Sequence, residues 1–109
     1  MENVNEKIQK VKEVLTGIVK RSYHFTAPDK PKAPYAVWHE EGQNVMYADN
    51  KAVEHAESGV IQYFTKEEYS AVSDEIFEAF TNADICIRLN SIQYEEDTGL
   101  IHYEWEWEL

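Results

Sequence analysis

The last eight residues alternate strictly between polar and apolar side chains, which is the period of a β-strand. One face of this strand carries Tyr103, Trp105, Trp107 and Leu109. The other face carries His102, Glu104, Glu106 and Glu108. Because two of the three tryptophans of the chain lie on the aromatic face, this face is predicted to form a wall of the core rather than a ligand platform. The glutamate face must then meet water or a surface that tolerates negative charge.

The charge of the chain is large and unevenly placed. The net charge is -11 over 109 residues. Residues 1–33 hold seven basic and four acidic residues, a net charge of +3, whereas residues 34–109 hold three basic and 17 acidic residues, a net charge of -14. The acidic body should repel nucleic acid, so specific DNA or RNA binding is not expected. The acidity serves solubility, or it attracts the basic first segment of another copy.

Length and composition indicate one domain over residues 1–109 with a packed interior, since 43% of the residues are hydrophobic. No stretch approaches the roughly 20 apolar residues of a membrane span, and the first residues lack the apolar region of a signal peptide. Cys86 is the only cysteine, so no internal disulfide can form, which fits a reducing compartment.

The first 23 residues are predicted to form an amphipathic helix. Apolar residues from Val4 to Ile18 recur at helical spacing and define a helix over 4–19, which frays by Tyr23. Asn3 is the predicted N-cap, with Glu6 three residues later in a capping-box arrangement. Residues 24–34 contain all three prolines and are predicted to be an extended linker that leads to the sheet.

Residues 35–109 are predicted to form the sheet and a second helix. Strands are expected over 35–40 and from residue 45 to 47, with a turn at 41–44 between them and a polar loop at 48–57 after them. A third strand covers 59–65. Thr65 and Glu68 form a T-x-x-E pattern that predicts the start of the second helix, which carries an apolar stripe from Tyr69 to Phe80 and ends at Asn82.

The final part of the chain is predicted to be a hairpin. Apolar residues alternate from Ile85 to Leu89 and continue out of phase at Ile92, so we expect a bulge near Asn90 and Ser91. Residues 95–99 form the turn, and the closing strand follows. The order α-β-β-β-α-β-β predicts an α+β fold, with a mostly antiparallel sheet of about five strands and two helices packed on one face.

No pattern in the sequence indicates catalysis, a metal or a cofactor. The four histidines are at least fifteen positions apart, so His24, His39, His55 and His102 are interpreted as surface residues. The three glutamates of the last strand recur at roughly 6.8 Å, near the spacing of glycosidase carboxylates, but a solvated face is the favoured interpretation. Cys86 is interpreted as a buried or half-buried inert thiol. The glycines form no phosphate-binding loop, and we expect the protein not to be an enzyme.

Several short motifs from Pro34 onward carry a resemblance to a known family. They are Pro34-Tyr35-Ala36-Val37, then Tyr47-Ala48-Asp49-Asn50-Lys51, then a strand that ends in Phe64-Thr65-Lys66. A helix with acidic residues and a closing Tyr-Glu-Trp-Glu strand follow. This pattern resembles the tail-completion or tail-terminator (head-tail joining) proteins of long-tailed bacteriophages and prophages of Gram-positive bacteria. An N-terminal helix is also expected for that family.

The resemblance implies a structural subunit that forms a homo-oligomeric ring, typically a hexamer, on the end of the tail tube. Such a ring joins tail to head, binds tail-tube and head-connector proteins, and lets DNA pass through its lumen. It assembles in the host cytoplasm and stays in the virion tail. Glu104, Glu106 and Glu108 are candidates for an acidic lumen face, because like charge removes the counterion-release gain that would hold DNA.

Two further surfaces follow from the same interpretation. A head-to-tail ring needs two different complementary patches, and the basic first helix with Lys7, Lys10 and Lys12 is a candidate for one of them. Contact with a neighbouring subunit or tail protein is predicted for a second set, which comprises Tyr47, Asp49, Asn50, Lys51 and Val53. The alternative function is a small acidic module that occupies a basic surface of a partner and needs no ring.

Overall fold

The computed structural model describes residues 3–48 and 51–109, and the side chains of residues 43–56 lie outside that description. The elements are α1 (Val4–Thr16), β1 (Ser22–His24), β2 (Tyr35–Ala48), β3 (Lys51–Thr65), α2 (Ala71–Asn82), β4 (Cys86–Glu95) and β5 (Leu100–Glu108). The strands form one sheet in the order β1-β2-β3-β5-β4. The predicted α+β class and element order are confirmed. The sheet is mixed, since β1 runs parallel to β2 while the other pairs are antiparallel.

The core lies between the sheet and the two helices. Tyr103, Trp105 and Trp107 of β5 are buried on the helix side of the sheet, as the alternation predicts. They pack with residues of α1 and α2 and of the neighbouring strands, among them Val11, Leu15, Trp38, Ile61, Ile76 and Phe80. Because β5 lies between β3 and β4, its aromatic side chains receive neighbours from both sides as well as from the helices.

Helix α1 begins as predicted and ends earlier than predicted. The Asn3 side chain accepts a hydrogen bond from the backbone N–H of Glu6 at 2.9 Å, and its amide donates to the Glu6 carboxylate at 3.2 Å. This closes the capping box that the sequence predicts. The helix ends at Thr16 with Gly17 as its C-cap, so residues 17–23 are not helical. Instead, Ser22–His24 form β1 at the edge of the sheet, where a fraying helix and the start of a linker were expected.

The hairpin of β2 and β3 differs most from the prediction. The expected turn at 41–44 is a register shift inside β2, and the expected loop at 48–57 is largely the first half of β3. The two strands pair from Tyr35↔Phe64 out to Ala48↔Lys51. Such a ribbon is held by backbone hydrogen bonds, and therefore polar residues that lack the period of a half-buried strand can still form it. We call residues 44–48 and 51–56 the β2–β3 arm, because β5 and Leu109 after it bond to β3 only from Glu57 onward.

The second helix starts later than the T-x-x-E pattern predicts. Thr65 Oγ1 accepts a hydrogen bond from the backbone N–H of Glu67 at 3.1 Å, which makes a local turn, and Ser70 is the N-cap of α2. Tyr69 has φ 53° and is 95% exposed, so its assignment to the buried stripe was wrong. Ile76 and Phe80 are buried as predicted, and the helix ends at Asn82.

The hairpin of β4 and β5 confirms two local predictions. A register shift lies between Leu89 and Ser91, where the bulge was expected. The turn between Glu95 and Leu100 contains Gly99 at φ 72°, a left-handed conformation that favours glycine. No helix in the described part of the chain is long and apolar enough to cross a membrane.

Candidate functional site

The outward face of the sheet, opposite the helices, carries the acidic row that the sequence predicts. Glu104 is half-buried and lies next to Gln62, whose side-chain amide donates to it at 3.5 Å. Glu106 is exposed and forms an ion pair with Arg88 of β4. Glu108 is exposed at the end of the strand. One of the three carboxylates is therefore neutralised by a direct cation, and the face keeps a net negative charge.

One corner of the outward face is covered. Tyr35, Phe64 and Leu100 form a small buried cluster there, and Tyr23, Ala27 and Ala33 pack against it. The Tyr35 and Phe64 rings stack at 4.6 Å, and His102, the partner of Phe64 on the neighbouring strand β5, stacks against Phe64 on the same face at 4.3 Å. Burial raises the pKa of the Tyr35 hydroxyl, and the Glu95 carboxylate adds to this shift. Thus the outward face is acidic along β5 and apolar where the segment after β1 crosses it.

A shallow depression of about 470 Å³ lies at the base of the β2–β3 arm. Glu41 and Ser58 of the arm base, Cys86 and Arg88 of β4, and Glu108 of β5 line it. Trp107 also lines it, and its buried indole N–H has no hydrogen-bond partner among the described residues. The lining is mixed in charge, with Arg88 among three glutamates.

Cys86 is exposed, so the expectation of a buried or half-buried thiol was wrong. The side chain lies on the outward face, since Cys86 pairs with Glu108 in the ladder. Sequence alternation placed it correctly on the face opposite Ile87, but that face is open at this end of β4. Within the described residues, no three histidine, cysteine, aspartate or glutamate side chains are grouped as metal ligands would be.

The histidines take separate positions. His39 lies 3.3 Å from the Glu41 carboxylate, and His102 belongs to the outward corner described above. The side chain of His55 lies outside the described residues. The sequence interpretation treated all four as unremarkable surface residues and missed the environment of His24.

His24 lies in an aromatic stack at the β1 edge. Its ring stacks on Trp38 at 4.1 Å and on Phe25 at 4.0 Å, and its Nε2 lies 2.6 Å from the Glu40 carboxylate. The parallel pairing of β1 with β2 places His24 opposite Trp38. Only a prediction of β1 would have revealed this group, and a three-residue strand has too short a pattern to be found from one sequence.

The three lysines of the predicted basic interface do not form one row. Lys7 and Lys10 are three residues apart and lie on one flank of the buried stripe of α1, whereas Lys12 lies on the other flank by the helical period. Lys12 is exposed, while Lys7 and Lys10 are half-buried. The helix therefore offers positive charge on both sides of its buried face.

The predicted contact set around residue 50 lies in or next to the arm. Tyr47 belongs to β2, and Lys51 and Val53 belong to β3, so these three are on paired strands rather than in a loop. Asp49 and Asn50 lie outside the described residues. The backbone thus places Tyr47, Lys51 and Val53 in the arm, away from the helix-covered core.

The outer edge of β4 is a further surface, and the sequence interpretation did not single it out. In the described chain β4 pairs only with β5. Leu89, Ile92 and Tyr94 lie on the helix side of this strand, opposite Trp105, Tyr103 and Ile101, yet they are 45%, 55% and 65% exposed. We call these three residues the β4 strip. They extend the apolar face of the sheet beyond the area that the helices cover.

Comparisons with known proteins give a likeness among solved structures. No protein-family model matches the chain, and no curated protein matches it. Among solved structures, the fold is similar to a chain of the virion of a native gene transfer agent (GTA) particle, with a TM-score of 0.53 and 15% sequence identity. The likeness covers 93% of this chain and 87% of that chain. At this identity the comparison establishes a shared fold, over nearly the full length of both chains.

Proposed function

We propose that this chain is a structural subunit of a phage-like virion, and that it acts as a tail terminator. In this role it forms a ring, a hexamer in the assembled tail, on the end of the tail tube and joins tail to head. Its partners are copies of itself, tail-tube proteins and head-connector proteins, first in the host cytoplasm and then in the virion tail. The observation that carries the proposal is the fold shared with a virion chain across 93% of this sequence.

The charge of the outward face supports a position around a DNA channel. Glu104, Glu106 and Glu108 lie on one strand face, and only Glu106 is paired with a described basic side chain. A channel lined by such a face keeps DNA mobile, because no counterions are released when phosphate approaches carboxylate. The proposed lumen face is therefore the outward face of β5.

The separation of charge between the first segment and the body supports a head-to-tail contact. Residues 1–33 carry +3 and residues 34–109 carry -14. In a ring each subunit presents two different patches, so a basic patch on one copy meets an acidic patch on the next. We assign the basic side of this contact to α1, whose Lys10 and Lys12 present positive charge on its two flanks. Since surface ion pairs are screened by salt, this contact should weaken as ionic strength rises.

The first test measures mass in solution by light scattering after size exclusion, over protein concentration and at low and high salt. We expect a closed ring whose mass falls at high salt. The double variant Lys10→Gln with Lys12→Gln should need a higher concentration to assemble. The matched control Lys30→Gln with Lys32→Gln changes the net charge equally outside α1 and should assemble like the unmodified protein. Equal behaviour of the two variants would remove α1 from the interface.

The second test distinguishes the tail role from the acidic-module alternative. Purified tail tubes are mixed with the protein, and electron microscopy records where it binds. Binding at one end of the tube supports the terminator role. A monomer that ignores tubes but binds a basic protein surface with salt-sensitive affinity supports the alternative, in which the same acidity masks a partner and no ring forms.

A further inference from the structure

The outer edge of β4 combines two features that monomeric proteins avoid. It is the last strand of the sheet, ten residues long, and in the described chain its outer backbone groups meet no other strand. Its helix side carries the β4 strip, three large apolar side chains that are about half exposed. Exposed edge strands are usually shielded by proline, lysine or a covering loop, because they otherwise pair with other chains.

Few of these shields are present on β4. The strand contains no proline, and its only basic residue is Arg88, which is paired with Glu106 on the outward face. The bulge between Leu89 and Ser91 interrupts the ladder once, and the part from Ser91 to Glu95 is regular. An edge of this kind is suited to the addition of a strand from another chain.

The β2–β3 arm is the complementary element. Five residues of β2 extend past the sheet, from the Asn44↔Ala56 pair to the Ala48↔Lys51 pair, which is roughly 15 Å of ribbon by strand rise. Residues 51–56 pair with β2 alone, so both outer edges of the arm are open in the described chain. A two-stranded ribbon is marginally stable by itself in water, and docking on a third strand would stabilise it.

Charge favours a second copy of this chain as the occupant of the β4 edge. Two copies that each carry -11 repel one another over most of their surface. Strand β4 has one basic and one acidic residue, so it is electrically neutral within a body of -14. The described residues of the arm are also neutral, since Lys51 balances Glu54, so arm and β4 edge can approach with less repulsion than the acidic remainder of the two bodies.

We propose that the β2–β3 arm of one copy adds as a strand to the β4 edge of the next copy and covers the β4 strip. This inference rests on the proposed function, because it supplies the subunit contact of the ring. The contact is head-to-tail, since the arm and the β4 edge are different surfaces, and repetition of such a contact gives a closed ring. The backbone of the arm provides hydrogen bonds, and the strip provides apolar area.

A mixing experiment tests the proposal with two variants. Ile92→Lys places a charge in the β4 strip and should block the addition of a strand to the β4 edge. Replacing residues 46–54 by Asn-Gly shortens the arm and closes it with a two-residue hairpin turn between Val45 and His55. Asn82→Lys is the matched control, because it adds the same charge at an exposed position at the end of α2, outside β4. Circular dichroism and urea unfolding check that each variant is folded like the unmodified protein.

We expect the unmodified protein and Asn82→Lys to assemble alike, and each of the two interface variants to need a roughly tenfold higher concentration, or more. The Ile92→Lys variant keeps an intact arm, and the shortened variant keeps an intact β4 edge. Mixed in equal amounts, they should therefore form a particle of twice the subunit mass that grows no further. An arm variant that still assembles by itself would overturn the proposal and would leave the α1 contact, or pairing of two β4 edges, as the source of assembly.

The outcomes also separate this inference from the proposed function. A mixture of the two variants that stays monomeric overturns the arm-to-edge contact. An unmodified protein that stays monomeric at every concentration also overturns it, yet end-binding of that protein to tail tubes would keep the terminator role. Conversely, a positive mixing result with no binding to tail tubes would establish the subunit contact and refute the role at the tail.

Discussion

Strands β5 and β4 lie side by side and share an alternating pattern, but the apolar face of β5 is buried whereas that of β4 is about half exposed. Trp105 of β5 is 3% exposed, whereas its direct partner across the ladder, Leu89 of β4, is 45% exposed. The difference arises because β5 has a strand on each side and lies beneath the helices, whereas β4 is the edge strand of the sheet. Alternation therefore predicts which face a side chain takes, and the arrangement of the helices decides whether that face is buried.

The largest expected effect compares this pair directly. Trp105→Ala should lower the free energy of unfolding by about 3–5 kcal/mol, since it leaves a large cavity in the core. Leu89→Ala should cost less than about 1 kcal/mol, because the side chain is half exposed and has little packing to lose. Urea denaturation of both variants measures the two costs. Equal costs would mean that β4 is already covered in solution, as in an assembled ring at the concentration used.

The second effect tests how tightly the helix side of the sheet is packed beside β5. A Cβ atom at Gly59 would lie 2.2 Å from the backbone oxygen of His39 and 2.5 Å from the Trp107 ring. Gly59→Ala should therefore destabilise by about 1–3 kcal/mol, the usual cost of overpacking. The control is Gly17→Ala, where a Cβ meets the nearest atoms at 3.4 Å. We expect that variant to be neutral or slightly stabilising, and a loss like that of Gly59→Ala would contradict the account.

The third effect concerns the helix that covers β3. Asn3→Ala removes the side chain that caps α1 and should cost about 1 kcal/mol in thermal or urea unfolding. Asn5→Ala is the matched control, because Asn5 is exposed inside the helix and alanine has the higher helix propensity. A cost that is the same for both variants would show that the cap contributes nothing to the cover of the core.

The smallest effect is confined to the covered corner of the outward face. Burial, and then Glu95, raise the pKa of Tyr35, so the folded state holds the hydroxyl proton more tightly than the unfolded state does. The stability from this difference is complete below the ordinary value of 10.0 and is lost as pH rises above it through the folded pKa. Tyr35→Phe should flatten the fall of the unfolding free energy above that pH, measured by urea denaturation, and an unchanged slope would contradict the assignment.

Local chemistry made part of the fold predictable. The apolar and polar residues of β5 alternate without a break from Ile101 to Glu108, so both the strand and its buried face follow from this period. The capping box of Asn3 and Glu6, the bulge after Leu89 and the turn at Gly99 depend on neighbours in sequence, and each was predicted at its observed position. These features can be predicted without knowing which residues pack against them.

Features that depend on distant partners were not predictable in the same way. The first half of β3 is strand because β2 pairs with it, and its sequence lacks a half-buried period. Strand β1 exists because Ala36–Trp38 present an edge to it, and the stack of His24 on Trp38 follows from that pairing. Likewise, the exposure of Cys86 and of the β4 strip depends on where the sheet ends. The sequence of one strand does not show whether that strand lies at the edge of the sheet.

The position of Cys86 has a practical consequence for all of these measurements. It is the one thiol in the chain, it is exposed, and it is the first residue of the edge strand, on the rim of the depression at the arm base. A maleimide dye will therefore label every molecule once, at the same place, without engineering. Energy transfer between donor-labelled and acceptor-labelled copies would then report in real time how closely neighbouring edges approach, and at what rate subunits exchange.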